Sequence, residues 1–185
     1  ENFKLFKKLN HKERLSNLCA NIASLYSQTA NYSDAIDYYN QGLDYTGDNV
    51  PSKILNLRGL GDVYANLSNY SKSLEYYQTA KELASQIKDI ATESSIDISL
   101  GTLYYNINKP IKALQIFLDA MEHIDSNLDP YGAEDIYFKI GLAYSSIDSL
   151  NKSNEALFSA LRLSESLNDV YYKTIISTEI GHNYF

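Results

Sequence analysis

A repeat constrains this chain more than any other feature. "NYSDAIDYYNQGL" begins at Asn31 and "NYSKSLEYYQTAKEL" at Asn69, 69 − 31 = 38 residues later; related versions begin at Asn108 and Asn151. A sharper ruler is Gly-x-x-Tyr, found as "GDVY" at 61–64, "GTLY" at 101–104, "GLAY" at 141–144 and "GHNY" at 181–184. "ASLY" at 23–26 has alanine in place of the glycine. From Tyr26 through Tyr64, Tyr104 and Tyr144 to Tyr184 the steps are 38, 40, 40 and 40. Self-similarity at such a period marks stacked supersecondary units, each too small to bury its apolar face alone.

Each unit holds two stretches with apolar residues at i, i+3, i+4 and i+7, the amphipathic helix period. In the third unit Ile98, Leu100, Leu103, Tyr104 and Ile107 form one stripe, and Ile111, Leu114, Phe117, Leu118 and Met121 form another. A short polar turn separates them ("NINKP" there, "SNYS" in the second unit), so the two helices fold back as an antiparallel hairpin. Each second helix places a bulky residue between two small ones: Ala35, Tyr39, Gly42; Ser73, Tyr77, Ala80; Ala113, Phe117, Ala120; Ser153, Leu157, Ala160. A glycine inside the first helix costs about 1 kcal/mol relative to alanine. The predicted compensation is close approach, with Gly101 facing Ala113 and Ala120 while Tyr104 and Phe117 fill the space beside the crossing. On that reading Gly101→Leu overpacks the crossing, whereas Gly101→Ala is tolerated, since Ala23 fills the equivalent place.

These residues resemble the tetratricopeptide repeat. Its small residue, tyrosine three later, small residue nine beyond, aromatic four on and alanine three after that recur as Gly61, Tyr64, Ser73, Tyr77 and Ala80, and again as Gly101, Tyr104, Ala113, Phe117 and Ala120. The resemblance implies an all-α fold, a right-handed superhelical solenoid of antiparallel helix hairpins. The family's usual period is 34, so each hairpin here carries about six extra residues, placed in longer helices or in longer loops between repeats. The family's aromatic at the start of the first helix is replaced by Cys19, Leu57, Asp97 and Tyr137, and its closing proline is missing. Long-period units of this kind look like those of bacterial signalling proteins that carry helical repeats ahead of an output domain. The expected organisation is one repeat domain over 1–185. Residues 1–15 form the tail of a preceding repeat helix, full repeats occupy 16–53, 54–93, 94–133 and 134–173, and 174–185 are the first helix of a fifth. With half-hairpins at both ends and no polar cap, the chain reads as a segment of a longer array.

Charge and composition exclude several functions. Residues 1–14 hold five Lys/Arg against two Glu (+3) and residues 15–185 eleven against twenty-one (−10), which sums to the net charge of −7. The acidic body repels a phosphate backbone, so nucleic acid is not an expected partner. No run of 18 apolar residues offers a membrane span. The single cysteine excludes an internal disulfide framework and leaves the compartment open. His11, His123 and His182 lie in different repeats with no ligand neighbour at i+3 or i+4, so no metal is expected. Cys19 falls on the buried stripe of a first helix, and "RGLGDVY" lacks both the preceding strand and the third glycine of a phosphate loop. No constellation supports catalysis or a cofactor.

Binding remains. In the family the ligand-facing positions lie on the first helix of each hairpin, lining a concave groove. Carried onto this chain they are Leu55, Arg58, Asp62 and Asn66, then Ile98, Thr102, Tyr105 and Asn106, then Phe138 and Leu142. Tyr105 and Phe138 are the predicted aromatic anchors. The family's carboxylate clamp of lysine and asparagine pairs is not matched, since Arg58 and Lys139 are the central cations near these faces. The expectation is a non-enzymatic scaffold that binds a protein or peptide in the groove. The alternative is a structural module that self-associates through its uncapped ends.

Overall fold

The structure, a computed structural model, describes residues 11–126 and 129–184. Among these residues lie nine α-helices and no strand: α1 Lys12–Gln28, α2 Tyr32–Thr46, α3 Val50–Asn66, α4 Tyr70–Gln86, α5 Ile90–Asn106, α6 Pro110–Met121, α7 Pro130–Ser145, α8 Leu150–Leu167 and α9 Val170–His182. The chain divides into two compact units, Glu1–Ile96 and Asp97–Phe185, the division falling within α5. The predicted tail of a preceding repeat lies mostly outside the described residues.

The first helices α1, α3, α5 and α7 run 17, 17, 17 and 16 residues. Within hairpins the connections are only 29–31, 67–69, 107–109 and 146–149. The extra length relative to a 34-residue repeat therefore resides mainly in the helices. The exception is the third hairpin, where α6 has 12 residues and a longer connection, 122–129, follows.

The same backbone device ends each first helix. One residue per turn takes a left-handed conformation: Ala30 (φ 57°), Ser68 (57°), Asn108 (58°) and Asp148 (55°). The next residue's N–H then donates to the carbonyl of the repeated tyrosine: Asn31 to Tyr26 (2.9 Å), Asn69 to Tyr64 (2.8 Å), Lys109 to Tyr104 (2.9 Å) and Ser149 to Tyr144 (3.0 Å). This is the Schellman closure, which satisfies carbonyls the helix would otherwise leave open. It fixes the distance from each tyrosine to the second helix. Side-chain caps set several helix starts, with Asn49 accepting from the Ser52 N–H (2.8 Å), Asp129 from Gly132 (2.8 Å) and Asp169 from Tyr172 (2.9 Å).

In the first unit Ala20, Ala23, Ala35, Tyr39, Leu60 and Val63 form one buried cluster; in the second, Leu157, Ala160 and Ile176 form another. The small residues of the second helices are buried as expected, Ala35, Ser73, Ala113 and Ser153 all at 0% exposure. The bulky residue between the small ones sits directly over the glycine, closer than the expected place beside the crossing, at Gly61, Gly101 and Gly141. A Cβ on Gly61 would sit 2.5 Å from the Tyr77 ring, on Gly101 2.7 Å from Phe117 Cδ1, and on Gly141 2.6 Å from Leu157 Cδ2. The glycine is thus a seat for the wedge, and beside Gly141 the small residue of the second helix also comes close, Ser153 Oγ donating to the Gly141 carbonyl (2.9 Å). The buried stripe of α6 is also narrower than predicted. Ala113, Leu114, Phe117 and Ala120 are buried, while Ile111 is 72% and Leu118 41% exposed. These two lie seven residues apart, two turns along one side of the helix, and that side is turned from the wedge to solvent.

Candidate functional site

The predicted ligand-facing residues fall on first helices, and each unit holds its own set. In the first unit Leu55, Arg58, Asp62 and Asn66 follow one another at spacings of three and four along α3, so they share a face. Leu55, Asp62 and Asn66 are exposed and Arg58 is half-buried. Two of the four are held from neighbouring helices. Arg58 Nη1 donates to Ser95 Oγ of α5 (2.9 Å), and Asp62 Oδ1 accepts from the Tyr77 hydroxyl of α4 (2.6 Å). Tyr77 is the wedge on Gly61, so its ring is core and its hydroxyl emerges beside Asp62 on the exposed face of α3. Tyr39, wedged against Gly59, approaches the same place. Burial pushes its hydroxyl up and nearby Asp62 adds to this, while Arg58 and Ser24 pull the other way.

Asp62 combines an exposed surface with close packing around its carboxyl. Desolvation raises it, and the Tyr77 hydrogen bond and the Arg58 charge oppose the rise. The arrangement offers a ligand one carboxylate with a fixed orientation and, one turn away, one guanidinium. Such a pair can accept and donate charge-assisted hydrogen bonds to a peptide main chain or to charged side chains.

In the second unit Ile98 and Thr102 are half-buried on α5, with Thr102 Oγ1 donating to the Ile98 carbonyl (2.8 Å). Tyr105 is half-buried and its hydroxyl accepts from Ser146 Oγ (3.2 Å), while Asn106 is exposed. On α7, Phe138 and Leu142 are half-buried. Phe138 packs edge-to-face against Tyr172 of α9, with ring centroids 5.7 Å apart at 75°, beside the Leu157, Ala160 and Ile176 cluster. The Tyr172 hydroxyl donates to Asp135 (2.7 Å), and Lys139 pairs with the same carboxylate at 3.1 Å. Lys139 is thereby committed within its own helix. Burial, first, and then the hydrogen bond to Asp135 push the Tyr172 hydroxyl well up.

Sequence reasoning missed Tyr77, Ser95 and Tyr172 as neighbours of the site. Only one signal for Tyr77 was available: a tyrosine stands where the later repeats have Phe117 and Leu157, and a hydroxyl at a wedge position needs a partner at its far end. Cys19 is fully buried, its thiol donates to Gln41 Oε1 (3.6 Å), and burial pushes it up to about 11, so it is not a poised nucleophile. His11, His123 and His182 are exposed. Among the described residues no group of acids, histidines and cysteine is arranged to hold a metal ion, and no helix is long and apolar enough to cross a membrane.

The tetratricopeptide repeat pattern matches residues 16–49 and 59–87. No curated protein sequence matches the chain. Among solved structures it is similar to a signal transduction ATPase with numerous domains from Pyrococcus horikoshii, which has a tetratricopeptide repeat sensor. That similarity has a TM-score of 0.82 and 20% identity and covers 100% of this chain and 30% of that one. Aspartyl phosphate phosphatase F from Bacillus subtilis matches with a TM-score of 0.84 and 13% identity over 91% of this chain and 45% of that one. A Rap protein complexed with competence and sporulation factor matches with a TM-score of 0.77 and 17% identity over 91% and 48%. The chain thus spans less than half the length of these three structures, and the likeness is one of fold.

Proposed function

We propose that this chain of tetratricopeptide repeats is a non-enzymatic scaffold that binds a protein or peptide on its first-helix faces, as the interaction region of a larger bacterial signalling or regulatory protein. The observation that carries the reading is the pair on α3, an exposed Asp62 held by Tyr77 and, one turn before it, Arg58 held by Ser95. Oriented polar groups on an accessible helix face suit recognition of an extended or helical peptide. A Rap protein of similar fold is complexed with competence and sporulation factor, and a sensor repeat region of similar fold sits in a signal transduction ATPase. Leu55, Asn66, Ile98, Thr102, Tyr105, Asn106, Phe138 and Leu142 extend the proposed contact surface, within repeats bounded at 16–53, 54–93, 94–133 and 134–173.

Site-specific photocrosslinking tests it. A crosslinking residue at Asn66 or Asn106 is expected to capture the partner in cells, and one at the exposed Gln115 or Glu155 of the second helices is not. Capture only from the second-helix positions refutes the reading.

The exposed surface of α9 favours a second reading. Val170 and Tyr171 are 74% and 72% exposed. Self-association through that face predicts a mass that falls on dilution in light scattering. A constant monomer mass excludes it.

A further inference from the structure

Among the described residues Glu134 is the one acid in the buried polar and charged set, with 2% of its surface exposed. Its Oε1 has no hydrogen-bond partner. It lies on α7, where the equivalent residues of α3 and α5 are Ile54 (3% exposed) and Ser94 (4% exposed), neither of them ionisable. The titratable groups that face it are Asp135 on α7 and, from α9, the capping residue Asp169 and Tyr172. None is a cation. The nearby lysines are engaged elsewhere, Lys139 with Asp135 (3.1 Å) and Lys173 with Glu165 of α8 (2.8 Å). A buried carboxylate with one oxygen unpaired and no cation facing it is disfavoured, so the folded chain favours the protonated form more than an exposed glutamate does.

We propose that Glu134 is a proton-operated latch on the second unit: held as a neutral acid it lets α9 pack against α7, and losing the proton loosens α9. Burial and then the charges of Asp169 and Asp135 raise the carboxyl. The sign follows from linkage. An unfolded glutamate gives up its proton near about pH 4.3, and the folded one does so only at higher pH. Below both values Glu134 costs nothing. As pH rises through the window between them stability falls, and above the folded value the full penalty is present. The loosening is local, because Asp169 caps α9 and Tyr172 ties it to Asp135.

The test compares the whole chain with Glu134→Gln, which keeps the shape and removes the titration, and with Glu134→Ile, the residue of the equivalent site in α3. Melting midpoints are measured from pH 5 to pH 8. The variant-minus-native difference is expected to grow with pH, by roughly 2–4 °C for a chain of this size. Taking the difference cancels the titrating groups that do not interact with Glu134. Hydrogen exchange supplies the local readout: relative to Glu134→Gln, native protection over 170–182 should fall as pH rises while protection in α1–α4 does not. A difference independent of pH, or a Glu134 carboxyl that titrates by carbon NMR at an ordinary glutamate value, overturns the proposal.

Discussion

In the first unit the side chain seated on the first-helix glycine is a tyrosine, Tyr77 on Gly61. In the second it is Phe117 on Gly101 and Leu157 on Gly141. The same register is filled, but only the tyrosine carries a hydroxyl through the core to the face where Asp62 lies. A second difference belongs to one repeat. Buried Asn56 of α3 donates to Ser16 Oγ (2.9 Å) and to the Ser52 carbonyl (2.8 Å), while the equivalent Ile96, Ile136 and Ile176 are apolar and also fully buried. Opposite Asn56 the second helix has Gly42, where a Cβ would strike the amide side chain; the matching residues are Ala80, Ala120 and Ala160. The tyrosine pairs do divide by unit. Tyr26 stacks on Tyr38 and Tyr64 on Tyr76, each at 5.5 Å, whereas the residues matching Tyr38 and Tyr76 in the second unit are Ile116 and Ala156. A repeat of this kind therefore tolerates either chemistry, since the same glycine seat takes tyrosine, phenylalanine or leucine as its wedge. In the first unit, a hydrogen bond joins the wedge Tyr77 to the proposed contact face at Asp62; in the second, the wedges carry no polar atom to make such a link.

The largest expected effects come from closing a seat. Gly101→Leu must displace Phe117, which is 1% exposed, and should cost roughly 3 kcal/mol or more. Gly101→Ala gains up to about 1 kcal/mol of helix propensity but places a Cβ within 2.7 Å of the ring, so a net loss is expected from overpacking of about 1–3 kcal/mol. Gly181→Ala meets nothing and should be neutral or slightly stabilising. Thermal melts of the three variants decide the matter. An equal response at Gly101 and Gly181 would mean that the wedge does not control the seat.

Next in size are the aromatic residues predicted as anchors. Phe138→Ala removes the edge-to-face contact with Tyr172 and leaves a gap beside Leu157, so about 2 kcal/mol of stability should be lost. Tyr105 is half-buried and accepts a hydrogen bond from Ser146, with no ring contact like that of Phe138 among the described residues, and its alanine variant should lose less, about 1 kcal/mol. That contrast separates a residue that supports the neighbouring hairpin from one free to meet a ligand. If both variants melt early by the same amount, neither is a dedicated contact.

How much of this was legible in the sequence follows from what repeats. Period 40 and the Gly-x-x-Tyr ruler exposed the hairpins, and the small-bulky-small pattern located their buried positions, because those features recur at every crossing. What stayed hidden occurs once. Ile111 and Leu118 fitted an apolar stripe, yet they are exposed, since helical period alone does not say where one face ends. Asp62 was placed on the ligand-facing side by register, but its tie to Tyr77 depends on two side chains 15 residues apart meeting across a hairpin. Phe138 fitted an anchor on a helical wheel, and the wheel could not show Tyr172 beside it. The burial of Glu134 broke the pattern at a position where other repeats have isoleucine or serine.

The smallest change probes the joined unit most directly. Tyr77→Phe keeps the ring on Gly61 and removes only the hydroxyl that donates to Asp62. The cost in stability should be about 1 kcal/mol, the net worth of one hydrogen bond. The consequence for Asp62 is more specific. Its carboxyl is pushed up by desolvation and held down by the Tyr77 hydroxyl and by Arg58, so losing the hydroxyl should let it rise further. A group whose folded value climbs keeps its proton to higher pH, so the variant should lose more stability than the native chain as pH rises through the Asp62 titration. Carbon NMR of the Asp62 carboxyl in both proteins reads the shift directly. The equivalent edit in the second unit has no counterpart, because Phe117 and Leu157 have nothing to remove. If Asp62 titrates identically in Tyr77→Phe and native protein, the wedge and the ligand-facing side are independent in the first unit as well, and the contrast between the two units is one of composition alone.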